Sequence, residues 1–321
     1  MTARLGSAEA VAAALSGAQT IGVVGHVGPD GDALGSMVAL ALAARNAGKT
    51  AFASFAEPFV VPEEMSFLDT SVLVSPADFP ADLDVAVAVD TSVPERVGEL
   101  VGKMESADSL VVIDHHLSDG SWGDVVLVDA SAAATTELVH EILLLLDWPL
   151  TPEIAAALYT GVVTDTGRFQ YSNTTQTTHT IAGDLIAAGV EPDVISQRLF
   201  EEAPFGYFTL VARVLGRAVL DEDHQFVWSM VLPEDLEASG LEYHEADGLI
   251  DLVRLARESD VACLLKVKEA GVVKGSLRSR GRVNVAAIAS SFGGGGHHNA
   301  AGFTSSDPVD VVIEHVVAQL P

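Results

Sequence analysis

Between residues 20 and 190, short unbroken hydrophobic runs alternate with stretches whose patterning is helical. The runs are rich in β-branched residues and apolar on both faces, which predicts strands of a buried parallel sheet. We expect strands at 20–26, 50–55, 71–74, 84–90 and 109–114. We expect helices at 32–47, 131–146, 152–164 and 175–188. This alternation predicts an α/β domain built on a doubly wound parallel sheet.

The pattern changes after residue 190. Residues 191–217 are helical in pattern and contain the breaks Pro192 and Pro204, so we interpret them as a connector. Strands and helices are mixed from residue 218 onward, which predicts a smaller α+β domain with a mixed sheet. Its expected elements are strands at 218–221, 225–231, 260–268 and 272–278 and helices at 233–238, 244–257, 283–291 and 308–319. The expected organisation is a domain of residues 1–190, a helical connector of residues 191–217 and a second domain of residues 218–321.

Three of the expected strands lead directly into residues that can bind a metal. The first leads into His26, the run at 84–90 ends in Asp90, and the run at 109–114 ends in Asp114 and is followed by His115 and His116. In open parallel sheets, ligands bind in the crevice beyond the carboxyl ends of the strands. The sequence therefore predicts a metal site at this edge of the sheet.

Composition limits the class of ligand. With 49% hydrophobic and 19% charged residues, the chain has the composition of a compact folded protein. Its formal net charge of −28 argues against binding long duplex nucleic acid, because that binding depends on many lysines and arginines. Short anionic ligands remain compatible, since divalent metals can supply positive charge locally. The acidity also fits a solvated surface or a salty cytoplasm.

Cysteine usage and the N-terminal pattern indicate the compartment. The single cysteine, Cys263, lies in an apolar run, so a disulfide framework or a thiolate metal cluster is excluded. Residues 7–17 include Glu9 and predict an amphipathic helix rather than a signal peptide. No run approaches the roughly 18 apolar residues of a membrane span. We expect a soluble, cytoplasmic protein with no membrane partner.

The loop after the first strand has the pattern His-x₃-Asp-x-Asp, formed by His26, Asp30 and Asp32. Oxygen ligands together with one imidazole suit Mn²⁺ or Mg²⁺. Either aspartate alone could instead cap the following helix. The combination with Asp90 and the Asp114 to His116 run favours a metal site.

Two further aspartates complete the candidate set. Asp90 ends an apolar strand, and Ser92 is available to cap the helix expected from Pro94, so we interpret Asp90 as a carboxylate that bridges two metals. Asp165 lies where an apolar helix breaks at Thr166 and Gly167. Considered alone, Asp165 would be interpreted as a turn residue. As the last ligand needed to complete two metal sites, it is a functional candidate.

These motifs, in this order, resemble the four motifs of the DHH phosphoesterases. The downstream segments Ser276 to Ser279 and Gly294 to Gly302 are similar to that family's DHHA1 substrate domain. The resemblance covers essentially the whole chain. The length resembles that of the subgroup of nano-RNases and phosphoadenosine phosphate phosphatases, some of which also cleave cyclic di-AMP or its linear product pApA.

The resemblance implies two Mn²⁺ ions, with Mg²⁺ or Co²⁺ as substitutes. One ion would be held by His26, Asp30 and Asp90. The other would be held by Asp32, Asp90, His115 and Asp165. A hydroxide shared by the metals would attack the phosphorus, and His116 would contact the phosphoryl group or assist the leaving oxygen. Asp114 would orient His115 rather than bind a metal.

The glycine-rich segment and a basic cluster are the candidates for substrate binding. Four glycines let backbone amides approach an anion, although a glycine run can equally be a flexible turn. We expect Arg278 to clamp a phosphate, because its planar guanidinium pairs with two phosphate oxygens. The remaining expected binding residues are Ser279, Gly294, Gly295, Gly296, His297 and Asn299. Arg280, Arg282 and Arg168 could reach a ligand or lie on the surface.

The resemblance implies a metal-dependent phosphoesterase, expected as a homodimer. Its substrates would be short 5′-phosphorylated oligonucleotides, adenosine 3′,5′-bisphosphate and, in some relatives, cyclic di-AMP. One alternative is a manganese-dependent pyrophosphatase, against which the glycine-rich segment with His297 argues. Another is a processive single-strand exonuclease, for which a basic channel and extra domains would be expected. The third is a catalytically silent nucleotide sensor, against which the intact set of candidate ligands argues.

Overall fold

The computed structural model describes residues 4–116, 122–268 and 271–321. The chain folds into two compact units that divide between Glu202 and Ala203. The first contains a largely parallel sheet with helices and the second a mixed sheet, so the predicted fold class is confirmed. The helices expected to form a connector are shared between the units: Pro192–Phe200 lies in the first and Gly206–Gly216 in the second.

The first unit alternates strands and helices. Its strands are β1 (Arg4–Leu5), β2 (Thr20–Val24), β3 (Thr50–Ser54), β4 (Val85–Val89), β5 (Ser109–Asp114) and β6 (Val125–Asp129). Its helices are α1 (Ala8–Gly17), α2 (Gly31–Asn46), α3 (Val101–Glu105), α4 (Thr135–Leu145), α5 (Pro152–Asp165), α6 (Gln176–Ala187) and α7 (Pro192–Phe200). The strand order is β1-β6-β5-β4-β2-β3, and each neighbouring pair except β1 and β6 is parallel.

The central strands are buried on both faces, which explains their unbroken hydrophobic runs. In β4, Val85, Val87 and Val89 pack into the larger core with α1, α2, α4 and α5, whereas Ala86 and Ala88 pack into a smaller core on the other face. The strand β2 has β3 on one side and β4 on the other, so the chain order reverses there. A ligand crevice is expected at the carboxyl end of such a switch point.

Glycines let α2 and α5 approach closely. A Cβ added to Gly35 of α2 would lie 2.3 Å from the carbonyl oxygen of Ala157, far inside contact distance. A Cβ on Gly161 of α5 would lie 2.7 Å from Oδ1 of Asp32. Because these helices carry Asp32 and Asp165, their close packing decides how near the two carboxylates come.

Some expected elements of the first unit are wrong. The strand expected at 71–74 is instead a 3₁₀ turn, Thr70–Val72, and only Leu73 forms an isolated bridge to Ala53. The cause is local, because the Asp69 side chain accepts a hydrogen bond of 3.0 Å from the Ser71 amide and turns the backbone. The strands β1 and β6 were not expected, although the run V-V-L-V at β6 is apolar.

The second unit is a mixed sheet with helices on both faces. Its strands are β7 (Val219–Asp221), β8 (Phe226–Val231), β9 (Val261–Val267), β10 (Val273–Ser279), β11 (Gly295–His297) and β12 (Ala300–Ser305). Its helices are α8 (Gly206–Gly216), α9 (Pro233–Ser239), α10 (Leu249–Val253), α11 (Val285–Ser291) and α12 (Val309–Val317). The order is β11-β12-β10-β9-β8-β7, in which β8 and β9 are parallel and the other pairs antiparallel. The helix expected at 244–257 is a 3₁₀ turn, Tyr243–Ala246, followed by the short α10.

The glycine-rich segment forms an edge hairpin rather than a loop. We expected a phosphate-binding loop or a flexible turn, but Gly295–His297 pairs with Ala300–Ser305 in antiparallel register. A Cβ on Gly294 would lie 2.2 Å from the carbonyl oxygen of Gly302, and one on Gly296 would lie 2.6 Å from that of Ala300. Glycine is therefore required where the two backbones approach, and an edge strand tolerates its flexibility.

Within residues 4–116, 122–268 and 271–321, no helix is both long enough and hydrophobic enough to cross a bilayer.

Candidate metal centre

The loop after β2 positions His26 and Asp30. The carbonyl oxygen of Val27 lies 3.0 Å from Nδ1 of His26 and can only accept, so Nδ1 carries a hydrogen and Nε2 is the nitrogen that faces the carboxylates. This Nε2 lies 3.8 Å from Oδ2 of Asp30. Oδ1 of Asp30 accepts from the amides of Asp32 and Ala33 at 3.1 Å each, which caps α2. The cap and the ligand interpretations of Asp30 are thus compatible, because each uses a different oxygen.

Asp90 connects two groups of side chains. It follows β4, is 2% exposed and has a left-handed φ of 59°, an uncommon conformation for a residue other than glycine. Its Oδ2 lies 3.4 Å from Nε2 of His26, and its Oδ1 lies 3.6 Å from Nε2 of His115. Oδ1 also accepts a hydrogen bond of 3.0 Å from Oγ1 of Thr135. Oδ1 also lies 3.6 Å from Nδ1 of His116, so Oδ2 faces one histidine and Oδ1 faces two others.

The carboxylate of Asp32 is held by the N-terminus of α4. It is fully buried, and its two oxygens accept from the amides of Thr135 at 2.6 Å and Thr136 at 2.9 Å. These amides have no partner within the helix, and the helix dipole favours a negative charge there. Oδ2 of Asp32 also lies 3.8 Å from Nε2 of His115. Two backbone donors thus fix the orientation of this carboxylate before any ligand binds.

His115 and Asp165 come together from β5 and α5. Nε2 of His115 lies 3.2 Å from Oδ2 of Asp165. The side-chain amide of Asn173 donates to the carbonyl oxygens of Asp165, at 3.1 Å, and Ala133, at 3.0 Å. Asn173 thereby links the end of α5 to the segment that precedes α4. Asp165 is brought into the centre by this packing.

Among the described residues, three groups of candidate ligands share Asp90, and one of them contains Asp114 and His116. Candidate ligand atoms of His26, Asp30 and Asp90 lie within 4.8 Å of one another, and so do those of Asp32, Asp90 and His115. The donors are carboxylate oxygens and imidazole nitrogens, a set that suits divalent metals such as Mn²⁺ and Mg²⁺. These acidic and histidine clusters are able to hold metal ions.

The pKa values of the site show how much negative charge is crowded there. Burial raises the pKa of Asp90 well above its usual range, and the neighbouring Asp32 raises it further. Burial and the charge of Asp32 likewise raise the pKa of Asp165. Burial alone would lower the pKa of His26, but hydrogen bonds to Asp30 and Asp90 outweigh it and raise that pKa to about 10. A centre with this excess of carboxylates is suited to bound cations.

Asp114 holds a different histidine from the one expected. Its Oδ1 lies 2.7 Å from Nδ1 of His116 and accepts from the His116 amide at 3.0 Å, whereas we expected it to orient His115. Burial alone would raise the pKa of Asp114, but the hydrogen bond from His116 lowers it. The reason is geometric: Asp114 ends β5, and its Oδ1 reaches both the amide and the ring of the residue two positions later. Asp114 therefore stays ionised and fixes the ring of His116.

Sequence reasoning missed the residues that hold the carboxylates in place. Thr135, Thr136 and Asn173 contact candidate ligands through an amide, a hydroxyl or a side-chain amide. The available signal was the pair of threonines directly before a helical pattern, which marks a helix N-terminus. That signal does not reveal which distant carboxylate the helix end will contact.

The cross-strand register of the second unit places several expected residues on one face. Ala300 lies on β12, between β10 and β11. Arg278 of β10 and His297 of β11 each pair directly with it, so their side chains lie on the same face of the sheet. We name this the small-residue face; its members are Lys274, Ser276 and Arg278 of β10, Ala300, Gly302 and Thr304 of β12, and Gly295 and His297 of β11. The alternate residues, including Leu277 and Phe303, pack into the core with α11 and α12.

Other expected binding residues have structural contacts. Ser279 is buried on the opposite face, and its hydroxyl accepts from the Gly281 amide at 3.0 Å. The carbonyl oxygen of Asn299 accepts from the Ser279 amide at 2.8 Å. Gly294 and Gly296 are required by the hairpin itself. For Gly295, by contrast, an added Cβ would meet no atom of the described residues within 4 Å.

The three arginines left open by the sequence also have local partners. Arg280 donates to the carbonyl oxygens of Arg254, at 3.1 Å, and Ala256, at 3.0 Å. Arg282 pairs with Asp260, and the Arg168 guanidinium lies over the ring of Phe200 at 4.4 Å. These contacts favour the structural interpretation. Arg278 donates to the carbonyl of Leu277 at 3.1 Å, and its Nε lies 3.8 Å from Oδ1 of Asp251.

Comparisons with known proteins match a different family domain to each of the two units. Residues 20–162 match the N-terminal domain of the DHH family, and residues 225–319 match the DHHA1 domain. A bifunctional oligoribonuclease and PAP phosphatase of Thermus thermophilus is 36% identical over 87% of this chain and 82% of its own length. The chain belongs to the DHH family.

Two further similarities extend over most of this DHH-family chain. A bifunctional oligoribonuclease and PAP phosphatase of Bacillus subtilis is 31% identical over 86% of this chain and 86% of its own length. The crystal structure of an exopolyphosphatase-related protein from Bacteroides fragilis matches with a TM-score of 0.89 at 21% identity, covering 97% of this chain and 95% of that one. The structural match shows that the fold is shared.

Proposed function

We propose that this chain is a phosphoesterase that hydrolyses short 5′-phosphorylated oligonucleotides and adenosine 3′,5′-bisphosphate to mononucleotides. The observation that carries the proposal is Asp90, whose two oxygens each face a separate group of histidine and aspartate side chains. The two relatives described above, which are named as oligoribonucleases and PAP phosphatases, support this substrate class.

Two Mn²⁺ ions complete the proposed site. His26, Asp30 and Asp90 would hold one, and Asp32, Asp90, His115 and Asp165 would hold the other. When bound, the ions supply positive charge and Lewis acidity at the phosphoryl group. The chain prepares for them by fixing its ligands: Val27 sets the ring of His26, the N-terminus of α4 holds Asp32, and Thr135 holds one oxygen of Asp90.

His116 is the proposed proton donor. Its Nδ1 is occupied by the ionised Asp114, so Nε2 is the atom that can reach a leaving oxygen. A carboxylate that holds the far side of an imidazole fixes the tautomer and stabilises the protonated ring. The side chain of His116 is 27% exposed, compared with 4% for His115, so it is the more accessible of the two to a substrate.

The small-residue face is the proposed substrate surface of the second unit. Arg278 and His297 supply a guanidinium and an imidazole beside Ala300, and phosphate groups pair well with a planar guanidinium. Gly295 leaves its backbone uncovered on the same face. An added Cβ would meet no atom of the described residues within 4 Å, so steric crowding does not explain why this residue is glycine. A ligand that contacts the backbone there explains the missing side chain.

The decisive experiment is hydrolysis with and without Mn²⁺, resolved by anion-exchange chromatography. The substrates are adenosine 3′,5′-bisphosphate, pApA, cyclic di-AMP, pyrophosphate, and RNAs of 3 and 24 nucleotides, with Asp90→Asn as the control. We expect mononucleotides from the bisphosphate, pApA and the short RNA, and none from the variant. Turnover of pyrophosphate alone, or preference for the long RNA, would refute the proposal, and no turnover under any condition would favour a sensor.

The cytoplasmic location and the homodimer expected from the family resemblance are part of the same proposal. Cell fractionation tests the first and analytical ultracentrifugation of the purified protein tests the second.

A further inference from the structure

Most basic side chains of the second unit already have partners. Residues 203–321 contain 10 of the 17 lysines and arginines of the chain. The side chains paired with a carboxylate are those of Arg213, Arg217, Arg254, Arg257, Lys266, Arg278 and Arg282. Arg280 is held by backbone carbonyls. Within the described parts of the chain, Lys268 and Lys274 are exposed and have neither kind of partner, although Lys268 lies over the ring of Tyr243.

Other lysines surround Lys274. Its cross-strand neighbour on β9 is Lys266, which is 1% exposed and pairs with Asp247. The ammonium groups of Lys266 and Lys268 lie 4.1 and 4.9 Å from the ring centre of Tyr243. Burial lowers the pKa of Lys266, and Lys274 and Lys268 lower it further. Among the described residues, Asp247 is the one carboxylate that pairs with these three lysines, so positive charge remains in an otherwise acidic chain.

The surface between Lys274 and Arg278 is made of small residues. Lys274 and Arg278 are four residues apart on one strand, so their backbones are about 13 Å apart and their side chains share a face. Ser276 lies between them, opposite Gly302, which in turn lies opposite Gly295. Thr304 faces Lys274 across the strands. Between the two cations, the residues of β10, β12 and β11 on this face are serine and glycine, so a flat ligand would meet no large side chain of these three strands there.

We propose that Lys274 and Thr304 form a second phosphate-binding subsite, which holds a phosphodiester of an oligonucleotide whose other phosphate is bound at Arg278. This inference rests on the proposed function and deepens it. One ribose separates the phosphates of adenosine 3′,5′-bisphosphate, so that substrate is too short to occupy both subsites. The outer phosphates of a trinucleotide are separated by two nucleotides and match the spacing. Lys274 is thus a residue that determines preference for substrate length.

The test compares two substrates in Lys274→Gln, with Lys274→Arg as the rescue and Arg257→Gln as the matched control. Arg257 is a 92% exposed cation of the same unit that lies outside this face. For Lys274→Gln we expect KM for pApApA to rise about 5-fold to 10-fold, the effect of losing one charged contact, and several-fold more than KM for the bisphosphate. The slope of log(1/KM) for pApApA against log salt concentration should flatten by about 0.7, as for one phosphate contact with a single strand.

Lys274→Arg should restore the wild-type KM and salt slope, because it keeps the charge, and Arg257→Gln should change neither. An equal rise for both substrates, or no change for pApApA, would overturn the subsite. If the wild-type protein hydrolyses neither substrate, the proposed function has failed. If it hydrolyses only the bisphosphate, the oligonucleotide subsite is refuted while the phosphatase activity stands.

Discussion

The two units of this chain differ in the balance and the placement of their charged side chains. Residues 1–202 carry 29 acidic and 7 basic side chains, whereas residues 203–321 carry 16 and 10. The first unit buries carboxylates such as Asp32 and Asp90 beside one another, and the second exposes cations such as Lys274. Burying like charges costs free energy unless a cation is added. The difference supports our proposal that the first unit binds metal ions and the second an anionic substrate.

Glycine serves the two units differently as well. In the first unit, Gly161 makes room for the side chains of Asp32 and Thr136 between packed helices. In the second, Gly294 and Gly296 let two backbones approach in a hairpin at the edge of the sheet. The first use positions a functional group, and the second builds a surface with little side-chain cover.

The largest expected effect tests the shared carboxylate of the first unit. We expect Asp90→Asn to lower kcat by about 10³-fold or more on every substrate, because the several kcal/mol of charge stabilisation supplied by the metals depends on this ligand. Single-turnover kinetics with saturating Mn²⁺ measures it. A loss confined to one substrate would mean that Asp90 acts in recognition instead.

The crowded carboxylates should also make stability depend on metal. With Mn²⁺ at about 100 times its Kd, we expect the folded state to gain about 2.7 kcal/mol. Calorimetry with Mn²⁺ and with EDTA measures the difference. Because its folded pKa is raised, ionised Asp90 destabilises the metal-free protein at neutral pH. Asp90→Asn should therefore raise Tm in EDTA and abolish most of the response to Mn²⁺; an unchanged response would contradict the shared site.

Thr135 allows the positioning of the carboxylates to be tested without removing a ligand. We expect Thr135→Val to weaken Mn²⁺ binding about 10-fold to 100-fold, the effect of removing a group that orients a metal ligand. Thr135→Ser keeps the hydroxyl that donates to Asp90 and should bind Mn²⁺ normally. Isothermal titration with Mn²⁺ distinguishes them. Equal losses in both variants would indicate a packing role for the methyl group.

In the second unit, two neighbouring glycines separate substrate contact from folding. Gly295→Ala should raise KM by about tenfold, equivalent to about 1.4 kcal/mol, with Tm unchanged, because its Cβ meets open space. Gly296→Ala should lower Tm, since its φ is 139° and its Cβ would lie 2.6 Å from a carbonyl oxygen. Steady-state kinetics and calorimetry of both variants decide. If Gly295→Ala left KM unchanged, the small-residue face would not contact substrate.

The smallest expected effect concerns Asp235, a buried carboxylate that does have cationic partners. Burial alone would raise its pKa, but the hydrogen bond from Arg217 lowers it. The stabilisation that ionised Asp235 contributes to the folded state is present above its unfolded-state pKa of about 3.9. It is lost as the pH falls through the lower pKa of the folded state. Asp235→Asn should cost about 1 kcal/mol at neutral pH and reduce the decline of Tm below pH 4. A decline as steep as in the wild-type protein would show that other groups cause it.

Much of the candidate site could be predicted because its residues follow strands that are visible as hydrophobic runs. His26, Asp90 and His115 each come directly after such a run, and parallel strands bring their carboxyl ends to one edge. The hairpin of β11 could not be predicted in the same way. Its residues are glycines, whose strand conformation is decided by pairing with β12 rather than by their own preference.

The sequence by itself determined the two fold classes, the strand ends that deliver the candidate ligands and the family, because hydrophobic periodicity and motif order are local properties of the chain. Only the tertiary structure decided which atoms meet. It joined the amides of Thr135 and Thr136 to Asp32, over 100 residues away in sequence, and it joined Asp114 to His116 rather than to His115. Such contacts depend on how close the helices pack and where each backbone turns, and these follow from the summed packing of distant residues.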